Sequence, residues 1–296
     1  MAGKEKVIES KSTKRIKKKS LLFIGPSFLG VCIFFIAPMI VVMGYSMMDN
    51  PIRKNFVFLD NFRATLANRA FRLALSNTAK FSALSVPLVV ILSLLVAMVL
   101  ENIPGRMKIR SFLLTPMMVP IASVILIWQV LFNYNGVVNE AAARLNLAEV
   151  DWLKSDKALI VIVLLFVWKN LGYNMILFMA AIANIPAQLM DAARLDGGNE
   201  FQIFFKIKIR YLASSILFVT ILSIINSFKV FREIYLLTGD YPFDSLYILQ
   251  TYMNNMFRSL DYQKLSSAAI LMSLIMIVLV ALLFIAENYV GRDLEE

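Results

Sequence analysis

Residues 185–212, IPAQLMDAARLDGGNEFQIFFKIKIRYL, interrupt a chain otherwise built for lipid. Apolar runs long enough to cross a bilayer lie on both sides, at 158–181 and 211–236. The insert between them is polar and helix-forming, and Gly197 and Gly198 break it in the middle. The side of the membrane it faces, and with it the job of the chain, follows from the runs and charges around it.

The 296 residues are 59% hydrophobic and 17% charged, with a mean hydropathy of +0.71. That lies outside the range of soluble domains and indicates an integral membrane protein. A helix of about 20 apolar residues crosses the hydrocarbon core. Six runs qualify: 21–48, 78–100, 111–132, 158–181, 211–236 and 265–290. The connections are too short for a separate soluble domain. The expected organisation is a basic tail at 1–20, a transmembrane domain at 21–290 that includes the insert at 182–210, and a short tail at 291–296. No internal repeat is visible.

A single cysteine, Cys32, excludes an internal disulfide, and the absence of histidine removes the usual bases and metal ligands. Catalytic triads and zinc sites are therefore not expected. The net charge of +10 is concentrated in KSTKRIKKKS, directly before the first apolar run. This reads as an anchor to anionic headgroups, with no nucleic-acid partner. The same region resembles a secretory signal, but Val31 precedes Cys32 and the apolar run is too long for a signal core, so it reads as the first span.

With the N-terminus in the cytoplasm, Lys and Arg are about twice as dense in the inner segments as in the outer ones, as the positive-inside rule requires. Both termini and the insert at 182–210 then face the cytoplasm. On the outer side, LDNFRATLANRAFRLALSNT (59–78) places apolar residues at helical spacing among Arg63, Arg69 and Arg72, and reads as a helix lying along the membrane surface.

Within the insert, Asn184 and Pro186 are helix-start signals, and Ile185, Leu189, Ala192 and Ala193 form one stripe. Gly197 and Gly198 stop this helix. A second begins at Asn199, with Gln202 three residues on as in a capping box, and its apolar stripe is Phe201, Phe204, Phe205 and the stem of Lys208. From spacing alone, the first helix is either a docking knob, with Asp191, Arg194 and Asp196 as polar handles, or a connector resting on the bilayer.

NIPAQLMDAARLDGGNEFQIFFKIKI resembles the cytoplasmic EAA loop of the membrane subunits of ABC importers, whose pattern is E-A-A, three residues, G, then nine residues to I-x-L-P. Asp191, Ala192 and Ala193 stand at the E-A-A positions, Asp196 and Gly197 at the D-G, and Ile207 and Ile209 at the closing apolar pair. Asp191 replaces the usual Glu, Gly198 a frequent Ala and Arg210 a frequent Pro. The Asp keeps the charge, Gly198 loosens a turn, and Arg210 lets the second helix run into the fifth span. Further stretches, among them TPMMVPIASVILIWQVLFNYNGVVN, VWKNLGYNMILFMAAIANIP and FKVFREIYLLTGDYP, are similar to the carbohydrate-uptake branch, the maltose-type and glycerol-phosphate-type permeases.

The resemblance implies an all-α transmembrane fold, a six-span ABC importer permease bundle with a cytoplasmic coupling helix at Ile185 to Leu195. Asp191, Ala192, Ala193, Asp196, Gly197 and Gly198 would couple it to an ATPase. The implied partners are a cytoplasmic ATPase dimer that binds ATP and Mg, a second related permease subunit, an extracytoplasmic solute-binding protein and a sugar, in a bacterial inner or plasma membrane. The chain has no G-x-x-x-x-G-K-[ST] loop, so no cofactor is expected in it and ATP would be hydrolysed by the partner.

Polar groups inside spans are costly and mark candidate sites. Lys169, Asn170, Tyr173 and Asn174 project from the fourth span, and Ser223, Asn226 and Ser227 from the fifth. A sugar needs hydrogen-bonding groups for its hydroxyls and rings for its C–H faces. In maltose-type subunits the pocket is built from these two segments, which implies substrate contact for Tyr173, Ser223, Asn226 and Ser227; Lys169 and Asn170 join them as candidates. The same Ser and Asn pattern also suits interhelical bonding. Lys229, Arg232 and Glu233 read as snorkelling groups near the outer headgroups. Pro116 and Pro120 mark either a bend in the third span or ordinary tolerance of proline. The expected function is ATP-driven sugar import by alternating access; the alternative is an ion-coupled secondary transporter of a small polar solute using Lys169.

Overall fold

A computed structural model describes residues 23–50, 52, 53, 55–101, 103 and 106–291. The basic tail expected at 1–20 and nearly all of the tail at 291–296 lie outside the described residues. Six helices are long and apolar enough to cross a membrane: Phe23–Ser46, Arg69–Glu101, Ile121–Arg144, Ala158–Ile182, Ala213–Thr238 and Tyr262–Glu287. Among the described residues there is no strand, only an isolated bridge between Met48 and Phe56.

The second span, Arg69–Glu101, and the fourth, Ala158–Ile182, pack along each other and form the centre of the bundle. Val89, Ala97, Val161, Ile162, Leu165, Met175 and Phe178 are fully buried there. Phe81 meets Phe166 edge-on at 5.4 Å, and the Ser93 hydroxyl donates to the Leu171 carbonyl at 3.2 Å. Lipid tails are as apolar as these side chains, so close packing and interhelical hydrogen bonds, at roughly 0.6 kcal/mol each, hold such a bundle together. The first and sixth spans pair with each other and turn most of their surface outward.

Three elements differ from the hydropathy reading. The surface helix expected at 59–78 is two helices, Asp60–Ala67 and the start of the second span. Asn68 restarts the chain, its Oδ1 accepting the N–H groups of Ala70 at 2.8 Å and Phe71 at 3.3 Å in the manner of an N-cap. Arg69 and Arg72 thereby join the first turns of the second span.

The third apolar run is broken into Arg106–Met118 and Ile121–Phe132, because Pro120 holds an extended backbone with ψ 130. Its first half packs on the fourth span and its second on the end of the fifth, where Gln129 donates to the carbonyls of Leu236 and Leu237, each at 3.1 Å. The fifth span is broken too, into Ala213–Phe228 and Phe231–Thr238, across Lys229 and Val230. Both breaks lie beside the cavity described next.

Candidate functional site

The fourth and fifth spans enclose a cavity of about 480 Å³ lined by Lys169, Asn170 and Tyr173 from one and Asn226, Lys229, Arg232 and Glu233 from the other, with Met117 of the third closing a side. Helical spacing accounts for the first set: Lys169 and Tyr173 lie one turn apart and Asn170 is their neighbour on the same arc. In the second set the interruption after Phe228 turns Lys229, Arg232 and Glu233 toward that arc.

Asn226 donates to Asn170 Oδ1 at 3.3 Å across the two helices, and Asn170 in turn donates to the Phe166 carbonyl at 2.8 Å. Lys169 Nζ forms an ion pair with Glu233 Oε1. The Lys169 side chain keeps 35% of its surface and that of Glu233 only 9%. Glu233 is therefore a buried counter-ion of Lys169, which corrects its reading as a snorkelling group at the headgroups.

Four of the six candidate substrate residues, Lys169, Asn170, Tyr173 and Asn226, thus share one cavity. Ser223 and Ser227 do not reach it. Ser223 is buried and accepts from Asn174 Nδ2 at 2.9 Å; Ser227 is buried against Ser82, with 2.8 Å between the hydroxyl oxygens. Both sew the fifth span to its neighbours. Glu233 was findable from the sequence: within the apolar runs the only acidic residues are Glu233 and Glu287, and a lysine inside a span needs a counter-ion.

At the other end of the fourth span the chain forms the elbow. Its first helix is Ala187–Leu195, preceded by Pro186 at the N-cap. It ends in a Schellman motif: the Gly198 N–H donates to the Ala193 carbonyl at 2.9 Å and that of Gly197 to the Arg194 carbonyl at 3.1 Å, with Gly197 at φ +80. Gly198 does more than loosen the turn, since a Cβ there would meet the Ala193 carbonyl oxygen at 2.8 Å. Asn199 and Gln202 then form a complete capping box that starts the second helix.

The predicted stripe is divided. Ile185 is buried, and Met190 packs against the core with Ala193 half-buried, whereas Asp191, Ala192, Asp196 and Gly197 face outward. Leu195 is 89% exposed and Phe201 71%. Arg194 bridges the glycine turn, reaching Glu200 at 3.0 Å and Asp191 at 3.4 Å. The second helix runs through Glu200–Ile203, a π-helical turn at Phe204–Lys208 and Ile209–Tyr211 almost directly into Ala213–Phe228. Lys208, buried, pairs with Glu101 at 3.1 Å and so ties the elbow to the Glu101 end of the second span.

Residues 89–296 match the family described as "Binding-protein-dependent transport system inner membrane component". The chain is 29% identical to the trehalose/maltose transport system permease protein of Thermococcus litoralis, over 97% of this chain and 99% of that one. It is 26% identical to the lactose transport system permease protein of Rhizobium radiobacter, over 92% and 93% of the two. A chain in the crystal structure of a bacterial ABC transporter that imports the acidic polysaccharide alginate superposes with a TM-score of 0.82 at 21% identity, covering 94% of this chain and 99% of that one. That likeness supports the bundle architecture.

Proposed function

Because the chain belongs to the family of inner membrane components of binding-protein-dependent transport systems, we propose that it is the permease subunit of an ATP-driven importer that passes a carbohydrate inward by alternating access. The observation that carries the reading is the elbow: an exposed helix with an outward Ala192, joined through an almost unbroken helical run to the span that lines the cavity. A push on Ala187–Leu195 is delivered to Asn226 and, across the break at Lys229 and Val230, to Arg232 and Glu233.

In this mechanism an extracytoplasmic binding protein delivers the sugar to the cavity, where Asn170, Tyr173 and Asn226 offer donors, acceptors and a ring face. An ATPase pair on the cytoplasmic side binds ATP and Mg and closes; the coupling helix, seated on it through Asp191, Ala192 and Asp196, carries that motion into the bundle. A second, related permease completes the pathway. Both termini lie in the cytoplasm. The names of the relatives, which concern trehalose, maltose and lactose, favour a sugar or short oligosaccharide as cargo.

The test is purification of the tagged chain from its native membrane in mild detergent, beside the double variant Ala192→Arg, Gly197→Pro. An ATPase should accompany the wild type and be lost with the variant while the variant keeps its helical content. Proteoliposomes holding the complex should take up sugar when ATP is supplied. Uptake that ignores ATP and follows an ion gradient would overturn the proposal in favour of a secondary transporter centred on Lys169.

A further inference from the structure

The cavity holds three cations, Lys169, Lys229 and Arg232, and a single carboxylate, Glu233. Lys229 and Arg232 are exposed, so water screens them. Glu233 is the buried member of the set. Its Oε1 is taken by Lys169, and its Oε2 is buried without a hydrogen-bond partner among the described residues. A buried carboxylate oxygen that has found no donor is a standing cost, which a donor reaching it from the cavity that Glu233 lines removes. A carboxylate held in one orientation is also well suited to sugar hydroxyls, since each of its oxygens accepts and neither donates.

We propose that Glu233 Oε2 accepts a hydrogen bond from a hydroxyl of a neutral carbohydrate in the cavity, and that Lys169 fixes the orientation of the carboxylate. Lys169 is then a positioning residue and Glu233 a contact residue. The proposal rests on the carbohydrate reading above and narrows it. At Oε2 a sugar hydroxyl gains the charge-assisted hydrogen bond, whereas an ionised phosphate or carboxylate placed there has no proton to donate.

The experiment uses the complete importer in proteoliposomes with five probes: maltose, trehalose, lactose, arabinotriose and sn-glycerol 3-phosphate. Whichever neutral sugar is taken up is then compared with its monodeoxy analogues in wild type, Glu233→Gln, and the double variant Lys169→Met, Glu233→Leu. In wild type one deoxy position should lower uptake efficiency about 10-fold to 100-fold, the range for a hydrogen bond to a charged group. The same deletion should cost the double variant almost nothing and Glu233→Gln only a fraction of that, while the KM of both variants for the parent sugar rises about tenfold or more.

The double variant leaves no charge stranded, so it carries the test where Glu233→Gln fails to assemble. A purely structural Glu233 would leave the deoxy penalty unchanged in the double variant, which would overturn the inference alone. Preferred uptake of sn-glycerol 3-phosphate over every neutral probe would also overturn it. Uptake of none of the five by the wild-type complex would overturn the carbohydrate reading and the inference with it.

Discussion

Gly172 in the fourth span meets the backbone of Leu113 in the third so closely that a Cβ on it would lie 1.9 Å from the Leu113 carbonyl oxygen. The contact falls just before Pro116 and Pro120, where the third span breaks. Backbone cannot swing aside as a side chain can, so Gly172→Ala must part the two helices next to the cavity. The expected loss is at or above the upper end of the about 1–3 kcal/mol typical of overpacking. A clear fall in the thermal midpoint of the detergent-solubilised protein checks it; an unchanged midpoint would mean that the helices are farther apart than described.

Ser223 and Asn174 supply a second prediction. Their 2.9 Å hydrogen bond is buried between the fourth and fifth spans, away from the cavity. A double-mutant cycle with Ser223→Ala and Asn174→Ala should return a coupling of roughly 0.6 kcal/mol in unfolding, the usual size for such bonds. Ser223→Ala should leave the KM for substrate within about twofold of wild type. A rise of tenfold or more would put Ser223 back among the substrate contacts.

What was legible in the sequence divides along physical lines. Spans announce themselves because lipid demands a continuous apolar run, and the elbow does because Gly197, Gly198, Asn199 and Gln202 each satisfy a local backbone requirement. The capping box predicted from the Asn199 and Gln202 spacing is present, with hydrogen bonds of 2.8 and 3.1 Å. The breaks at Pro120 and Lys229 are not visible to hydropathy, which averages over them. Nor does a helix that is apolar all round encode which way it is turned, and so Ser223 and Ser227 could not be separated from Asn226. The pairing of Glu233 with Lys169 was legible only from the scarcity of acidic residues in the spans, since the two stand 64 positions apart and no local spacing joins them.

At the end of the bundle away from the elbow, Arg258 pairs with Asp240 at 2.6 Å and lies over the Tyr235 ring, 5.9 Å from its centre, so that the helix Leu249–Arg258 is latched to the end of the fifth span. The hydrogen bond from Arg258 holds the Asp240 carboxyl below its ordinary value of 3.8. A lowered value in the fold means that the latch is fully present above the ordinary carboxylate value and is lost only as pH falls through the lowered one. Hydrogen exchange of residues 237–247, corrected for intrinsic rates, should therefore show constant protection from neutral pH down to that ordinary value and a decline below it. Arg258→Gln should remove the protection already at neutral pH. A decline beginning near pH 5 in the wild type would contradict the latch.

Lys208 and Glu101 are the link between the elbow and the bundle, and they should matter to coupling as well as to stability. The Lys208 side chain is 9% exposed and that of Glu101 27%, so Lys208→Met takes one cation away from a carboxylate that water reaches only in part. Breaking a fully buried pair costs about 3–5 kcal/mol; the residual access to Glu101 places Lys208→Met below that range, and the double variant Lys208→Met, Glu101→Gln should recover most of the loss. Transport need not recover with it. The pair joins the π-helical turn that leads into the fifth span to the Glu101 end of the second span. Loss of the tie lets the elbow move with the ATPase while the second span stays behind. In proteoliposomes the double variant should hydrolyse ATP at close to the wild-type rate and import fewer substrate molecules per ATP. Equal stoichiometry in both would show that the pair holds the fold together and transmits nothing.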